Sequence, residues 1–240
     1  MAGFFHSVFF QPLYNGFIFL MDVLPFFDAG IIIILFTILI KFILYPLSRK
    51  AVVAQIEMKS IEPELKAIKE KYKEDKQEQA KRTMALYKEK KINPFSSIIV
   101  ILIQLPIIFA LYFVFIKTGL PEVNTDLLYS FVQRPENINI SFLGLLDITK
   151  KSILLAVLAG VSSFIQIRLA MPAHKDTGEK TFQNDLAKSM NVQMRYVFPV
   201  ITVLISYQIS GVVALYWVTS NIFSIIQERF LRKQKKSLGA

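Results

Sequence analysis

Long apolar runs separated by strongly polar segments dominate the chain. Runs long enough to cross a bilayer, or nearly so, occur at Ala29–Leu47, Phe95–Ile116, Ile153–Met171, Tyr196–Ile209 and Val212–Ile226. They predict an all-α polytopic membrane protein with five transmembrane helices over 29–48, 94–117, 153–171, 196–209 and 212–228. Only Ser210 and Gly211 separate the last two, which reads as a tight helical hairpin turned by a residue that tolerates unusual backbone angles. Within residues 1–28, Phe5, Val8, Phe9, Leu13, Phe17 and Leu20 recur at helical spacing. That pattern suits an N-terminal interfacial helix, and a buried packing helix equally well. Residues 49–93 carry Val52, Ile56, Ile61, Leu65, Ile68 and Tyr72, then the polar stretch Lys73–Gln77, then Ala80, Met84 and Tyr87. This predicts a helical hairpin whose first arm is kinked or restarted at Pro63. Its apolar seam is thin, so the hairpin is expected to be solvated and mobile rather than packed into a core.

Composition and charge turn this pattern into a topology. With 53% hydrophobic residues, 21 Phe and a mean hydropathy of +0.45, the chain carries more apolar surface than a soluble domain of 240 residues would bury. The net charge of +10 is segregated. Arg49–Lys91 holds thirteen Lys and Arg, and the tail 229–240 holds Arg229, Arg232, Lys233, Lys235 and Lys236. Residues 1–28 have none, and the loop 118–152 is acidic between Leu120 and Thr149 apart from Arg134. Positively charged short loops stay in the cytoplasm. The N-terminus is therefore expected outside, the hairpin 49–93, the loop 172–195 and the C-terminus inside. The basic excess fits anionic lipid headgroups or an RNA-rich partner. Met1–Leu20 lacks the basic start of a signal peptide, and with no cysteine in the sequence no disulfide, thiol catalysis, cysteine metal site or lipid-modified cysteine anchor is expected.

Lys41 is the residue that most needs a reason. It lies inside the first apolar run, eight residues or roughly 12 Å before Arg49. A central lysine costs roughly 2.5 to 3.5 kcal/mol on insertion scales, so such a residue either snorkels or faces an aqueous pocket. Polar stripes accompany it in the other spans: Thr37 with Lys41, Ser97 with Gln104, Ser162 with Gln166, Thr202 with Ser206, and Trp217, Asn221, Ser224 and Glu228. Any single stripe reads as interhelical hydrogen bonding. Five stripes beside a cation with no carboxylate at matching depth read as a wet cavity. No phosphate loop, zinc helix or nucleophile elbow is present, and His6 and His174 lie near or beyond span ends. No catalytic residue, metal or cofactor is expected. A small channel or transporter using the same cavity, or a purely structural subunit, remains the rival reading.

The text of the chain resembles the YidC/Oxa/Alb family of membrane protein insertases. The resemblance is carried by KFILYPLSRK (Lys41–Lys50), IEPELKAIKEKYKEDKQ (Ile61–Gln77), MALYKEKKINPF (Met84–Phe95), ILIQLPIIFALYFVF (Ile101–Phe115) and ALYWVTSNIFSIIQ (Ala214–Gln227). It covers nearly the whole chain. It implies an insertase that receives hydrophobic segments of nascent membrane proteins and releases them into lipid. In that family a cation in the first span sits in a hydrophilic groove closed on the outside; here the position is Lys41, where most bacterial relatives have arginine. Gln104 and Trp217 match groove-lining positions. The implied partners are nascent membrane proteins, the ribosome, the Sec translocon and anionic lipids, at the bacterial plasma membrane.

Overall fold

The computed structural model describes residues 2–92, 109–110, 113–114, 120–170, 189 and 191–238. It divides into two compact units, Met1–Ile43 with Leu105–Ile226, and Leu44–Gln104 with Gln227–Ala240.

The first unit opens with a helical stretch, α1 (Ala2–Phe5), a π-turn (His6–Phe10) and α2 (Gln11–Val23). One face of α2 buries Tyr14, Phe17, Ile18 and Met21, and Phe17 meets Phe36 of α3 (Ala29–Ile43) with ring centroids 5.6 Å apart. Asn15 is buried on this face because every polar atom finds a partner. Its amide donates to the carbonyls of Leu127 (2.8 Å) and Gln11 (2.9 Å), and its oxygen accepts from Tyr129 N–H. The Tyr14 hydroxyl accepts from Asn124 N–H at 2.8 Å. The N-terminal helix thus has a packed inner face, while Phe19 and Val23 stay exposed on the other.

Asp28 caps α3, accepting from Ile31 N–H with one carboxylate oxygen. The helix stops at Ile43, and α4 (Tyr45–Ser60) begins two residues later. The expected span 29–48 is therefore shared between two helices. Pro46 explains the break: it has no N–H for the Phe42 carbonyl, and its ring would collide with that carbonyl in a continuous helix. The first turn of α4 is the position where proline is tolerated.

Residues 120–152 form a structured loop with a short antiparallel pair, β1 (Ser141–Phe142) and β2 (Leu146–Asp147), in the register Ser141↔Asp147 and Phe142↔Leu146. The loop is tied to helix ends by backbone bonds. Ala29 N–H donates to Asn139 C=O, Val212 N–H to Ile148 C=O, and Gly211 N–H to Lys150 C=O at 2.7 to 3.0 Å. Beyond it, α7 (Ile153–Ala170) is, among the described residues, the one unbroken helix long and apolar enough to cross a bilayer. Its small residues Ala156, Ala159 and Gly160 are buried, and α8 (Phe198–Ile209) packs closely on it. A side chain at Gly160 would collide with Val203, so the absence of a Cβ sets the approach of the two helices. α8 is entered through a π-turn, Gln193–Val197.

One expectation about the start of the last helix is corrected. Ser210, extended at φ −170°, makes the break after α8, whereas Gly211 has no left-handed backbone. Gly211 is needed for space, since a Cβ there would lie 3.1 to 3.2 Å from backbone atoms of Ile148. α9 then runs Gly211–Leu238 without interruption, so the expected tail 229–240 is helical through Leu238.

In the second unit, α4 ends at Ser60 and α5 (Glu62–Lys71) restarts with Pro63 in its first turn. Asp75 caps α6 (Lys76–Glu89), accepting from Gln77 and Glu78 N–H. α5 and α6 fold back on each other. Glu64 meets Lys90 at 3.0 Å, and Gln79 donates to Lys69 C=O. The seam expected to stay solvated instead closes a small core of Ile61, Leu86 and Ile92, with Met58, Leu65, Ile68 and Tyr87 against it. The sequence period placed these residues on one side of each arm, and the turn brings the two sides into contact. Burial raises the Tyr87 phenol above its ordinary pKa.

Replacing Asn15 with leucine leaves Leu127 C=O and Tyr129 N–H without this partner inside the first unit. Such a loss costs about 1 to 3 kcal/mol. Thermal unfolding in detergent is expected to show a clear destabilisation for Asn15→Leu and little for Gln11→Leu, whose bond to Leu127 is long at 3.5 Å.

Candidate functional site

Three helices of the first unit bring polar side chains together. α3 is apolar along most of its length, burying Ile32, Ile33, Phe36 and Ile40 and exposing Leu35, Leu39 and Phe42. Lys41 interrupts it, half-buried, and its ammonium donates to Ser224 Oγ of α9 at 3.4 Å. Ser224 in turn donates to Ser220 C=O one turn earlier, so its oxygen lone pairs face the lysine. Among the described residues no carboxylate pairs with Lys41, and two of its three N–H donors find no protein acceptor.

One turn along α9, Asn221 spends both amide protons on α7, at 3.0 Å to Ser162 Oγ and 2.8 Å to Ser163 Oγ. Ser162 passes its own proton to Ala159 C=O. The Asn221 carbonyl oxygen takes no donor among the described residues. Lys41, Ser224, Asn221, Ser162 and Ser163 therefore link α3, α9 and α7 through side chains alone.

The other residues singled out in the sequence behave differently. Thr37, expected to share a polar stripe with Lys41, is buried and bonds its own helix at Ile33 C=O, 2.6 Å away. Thr202 does the same at Phe198 C=O. Ser206 is fully buried on α8, with no hydrogen-bond partner among the described residues. Gln166 and Trp217 are half-buried and join no bond of the cluster. Ser97 and Gln104 lie outside the described residues. Ser163 escaped the sequence reading because only Ser162 stood four residues from another polar group, although both serines belong to the small-residue face of α7.

The arrangement supplies one ammonium group, three hydroxyls and an amide along an otherwise apolar surface. Its chemistry is attraction of negative charge and hydrogen bonding in place of water.

The profile of the 60Kd inner membrane protein family matches residues 20–237. The chain belongs to this family. Proteins it resembles include the membrane protein insertase YidC of Fusobacterium nucleatum, 36% identical over 210 residues that cover 86% of this chain and 87% of that protein. The Clostridium tetani protein of the same name is 33% identical over 90% of this chain and 87% of its own length. The Francisella philomiragia one is 32% identical over 83% of this chain and only 31% of a much longer protein. The 60Kd inner membrane family is one of non-enzymatic insertases of the membrane, in accord with the YidC/Oxa/Alb resemblance read from the motifs.

The cross-helix bonds of Asn221 are expected to couple α9 to α7 energetically. A double-mutant cycle of Asn221→Ala with Ser163→Ala, read by unfolding in detergent, should give an interaction energy of about 0.6 kcal/mol, up to ~2 kcal/mol. Pairing Asn221→Ala with Thr202→Ala should give none.

Proposed function

We propose that the chain is a membrane protein insertase of the bacterial plasma membrane, with five spans, the N-terminus outside and the C-terminus in the cytoplasm. Its hydrophobic segments and polar cluster form a groove that accepts nascent membrane proteins and releases them sideways into lipid. The observation that carries this reading is Lys41: a half-buried ammonium on an apolar helix, held by one serine hydroxyl and lacking a carboxylate partner among the described residues. A charge so placed needs water or a transient anion.

In this mechanism an acidic or polar tail of the substrate enters from the cytoplasmic side. Lys41 attracts its negative charge, and Ser224, Asn221 and Ser162 offer it hydrogen bonds in place of the water it leaves behind. The thickness of hydrocarbon left to cross is reduced. The substrate's apolar helix then leaves into lipid, where burial of about 25 cal/mol per Å² of apolar surface supplies the drive without nucleotide. Gln166 and Trp217, half-buried on α7 and α9, extend the groove in this reading. The arms α5 and α6 serve as a capture element. The helical basic end of α9 meets the ribosome or anionic lipid, and the Sec translocon is a further partner.

The backbone bonds from residues 139, 148 and 150 to the starts of α3 and α9 support closure on the outer side. That favours an insertase over the rival reading, a channel or transporter, which needs a through path.

The test is insertion of a small protein with an acidic external tail in cells depleted of their own insertase. Lys41→Arg is expected to rescue as wild type does. Lys41→Ala and Lys41→Glu should reduce insertion about tenfold, the effect of losing about 1.4 kcal/mol of charge stabilisation. Equal rescue by all variants would make Lys41 a snorkelling bystander.

A further inference from the structure

The turn of the β1–β2 hairpin is built from an unexpected residue. Leu143 has φ +52° and Gly144 φ +70°, two consecutive left-handed residues in the three-residue loop 143–145 that the register Phe142↔Leu146 leaves; such positions are ordinarily filled with asparagine, aspartate or glycine. Leucine rarely adopts this conformation. The fold nevertheless holds it there: Gly144 N–H bonds Ser141 C=O, Leu145 N–H bonds Phe142 C=O, and Leu143 N–H bonds the Asp28 carboxylate at 3.1 Å. The strained side chain is not tucked away. Leu143 is 60% exposed and Leu145 is 83% exposed.

The surroundings of this tip are apolar in a particular way. No charged residue occurs from Asn137 to Leu146. Asp28, to which the tip is tied, is preceded by Phe26 and Phe27, whose rings lie 4.7 Å apart; Phe26 is 74% exposed. Asp28 also caps α3, so the tip is tied to the N-terminal end of the helix whose exposed apolar face carries Leu35, Leu39 and Phe42 further along. At the base of the hairpin, Asp147 and Lys150 form an ion pair 3.1 Å apart, and α7 starts with exposed Ile153 and Leu154. Charged side chains are confined to the base of the hairpin, and the tip carries uncharged apolar ones.

We infer that Leu143, Leu145, Phe26 and Phe27 form a lipid anchor, seated at the headgroup–acyl boundary of the outer leaflet and pinned to α3 through Asp28. The inference rests on the reading that α3 and α7 cross the bilayer. Two apolar side chains on a strained turn and two on the segment that leads into α3, continuous with helix surfaces of a membrane protein, match lipid rather than water. The anchor would fix the height of the 120–152 loop relative to the bilayer, and with it the outer ends of α3 and α9 to which that loop is bonded.

Because the chain has no cysteine, single sites can be labelled without altering the background. A nitroxide at Leu145→Cys in the full chain, in liposomes of phosphatidylethanolamine and phosphatidylglycerol, is compared with Glu122→Cys as the water reference and Val157→Cys as the lipid reference. Collision rates with oxygen and with a water-soluble nickel chelate are measured. The anchor predicts an oxygen-to-nickel ratio at position 145 several-fold above that at 122 and approaching that at 157. A ratio at 145 equal to that at 122, with 157 lipid-like, overturns the anchor alone; a water-like 157 overturns the spanning reading. Low collision with both reagents overturns it in favour of a protein partner or second copy. As a second variant, Leu143→Asn suits the turn better, so it is expected to unfold in detergent no earlier than wild type while moving the label at 145 toward water. No movement of that label would also count against the anchor.

Discussion

A primary ammonium on an apolar helix has to be solvated by something, and most of this molecule can be read from how that demand is met. Lys41 has Ser224 and, among the described residues, no anion. A buried carboxylate would have neutralised it and made a static ion pair, whose desolvation is repaid only by good geometry. A single hydroxyl leaves the charge available. The neighbouring bonds follow the same pattern, because Asn221 satisfies its donors across to α7 while its acceptor takes no donor among the described residues.

The two kinds of bond in the first unit differ in what they permit. Around residues 139–150 the helix starts are held by main-chain groups, which cannot change partner without unfolding the loop. Asn15 and Tyr14 add buried side-chain bonds to residues 124–129. Toward the Lys41 end the helices are held by hydroxyls and an amide, each of which can exchange its partner for water or for a peptide group at small net free-energy change. A rigid end and an exchangeable end, built into the same helices, suit a protein that must admit a chain from one side.

Much of this was legible in the sequence, and the misses have physical causes. Helical periodicity identified Lys41, Ser224, Asn221 and Ser162 individually, since polar residues inside apolar runs stand out. It could not say which would meet, because a period fixes the face of a helix and not the neighbour opposite. Ser163 was missed because, unlike Ser162, it has no polar residue four positions on. Pro46 was passed over within a run whose hydropathy looked continuous, although proline ends the helix regardless of hydropathy. Gly211 was assigned the wrong virtue: its φ is ordinary, and the contact with Ile148 that requires a missing Cβ lies 63 residues away in sequence. The seam of α5 and α6 looked too thin for a core because each arm was judged alone. Leu143 carried no signal at all, since leucine is not a residue one reads as a turn. The family, by contrast, was readable from contiguous motifs, and the comparisons bear it out.

The account depends on the polar cluster being wet from the inside and sealed from the outside. The direct measurement is labelling of Ser224→Cys and Asn221→Cys with a membrane-impermeant thiol reagent, applied to inside-out vesicles and to intact spheroplasts. Labelling from the cytoplasmic face only is the predicted result. Protection from both faces would mean that these groups are dry interhelical bonds, and labelling from both would mean a pore; either would contradict the groove.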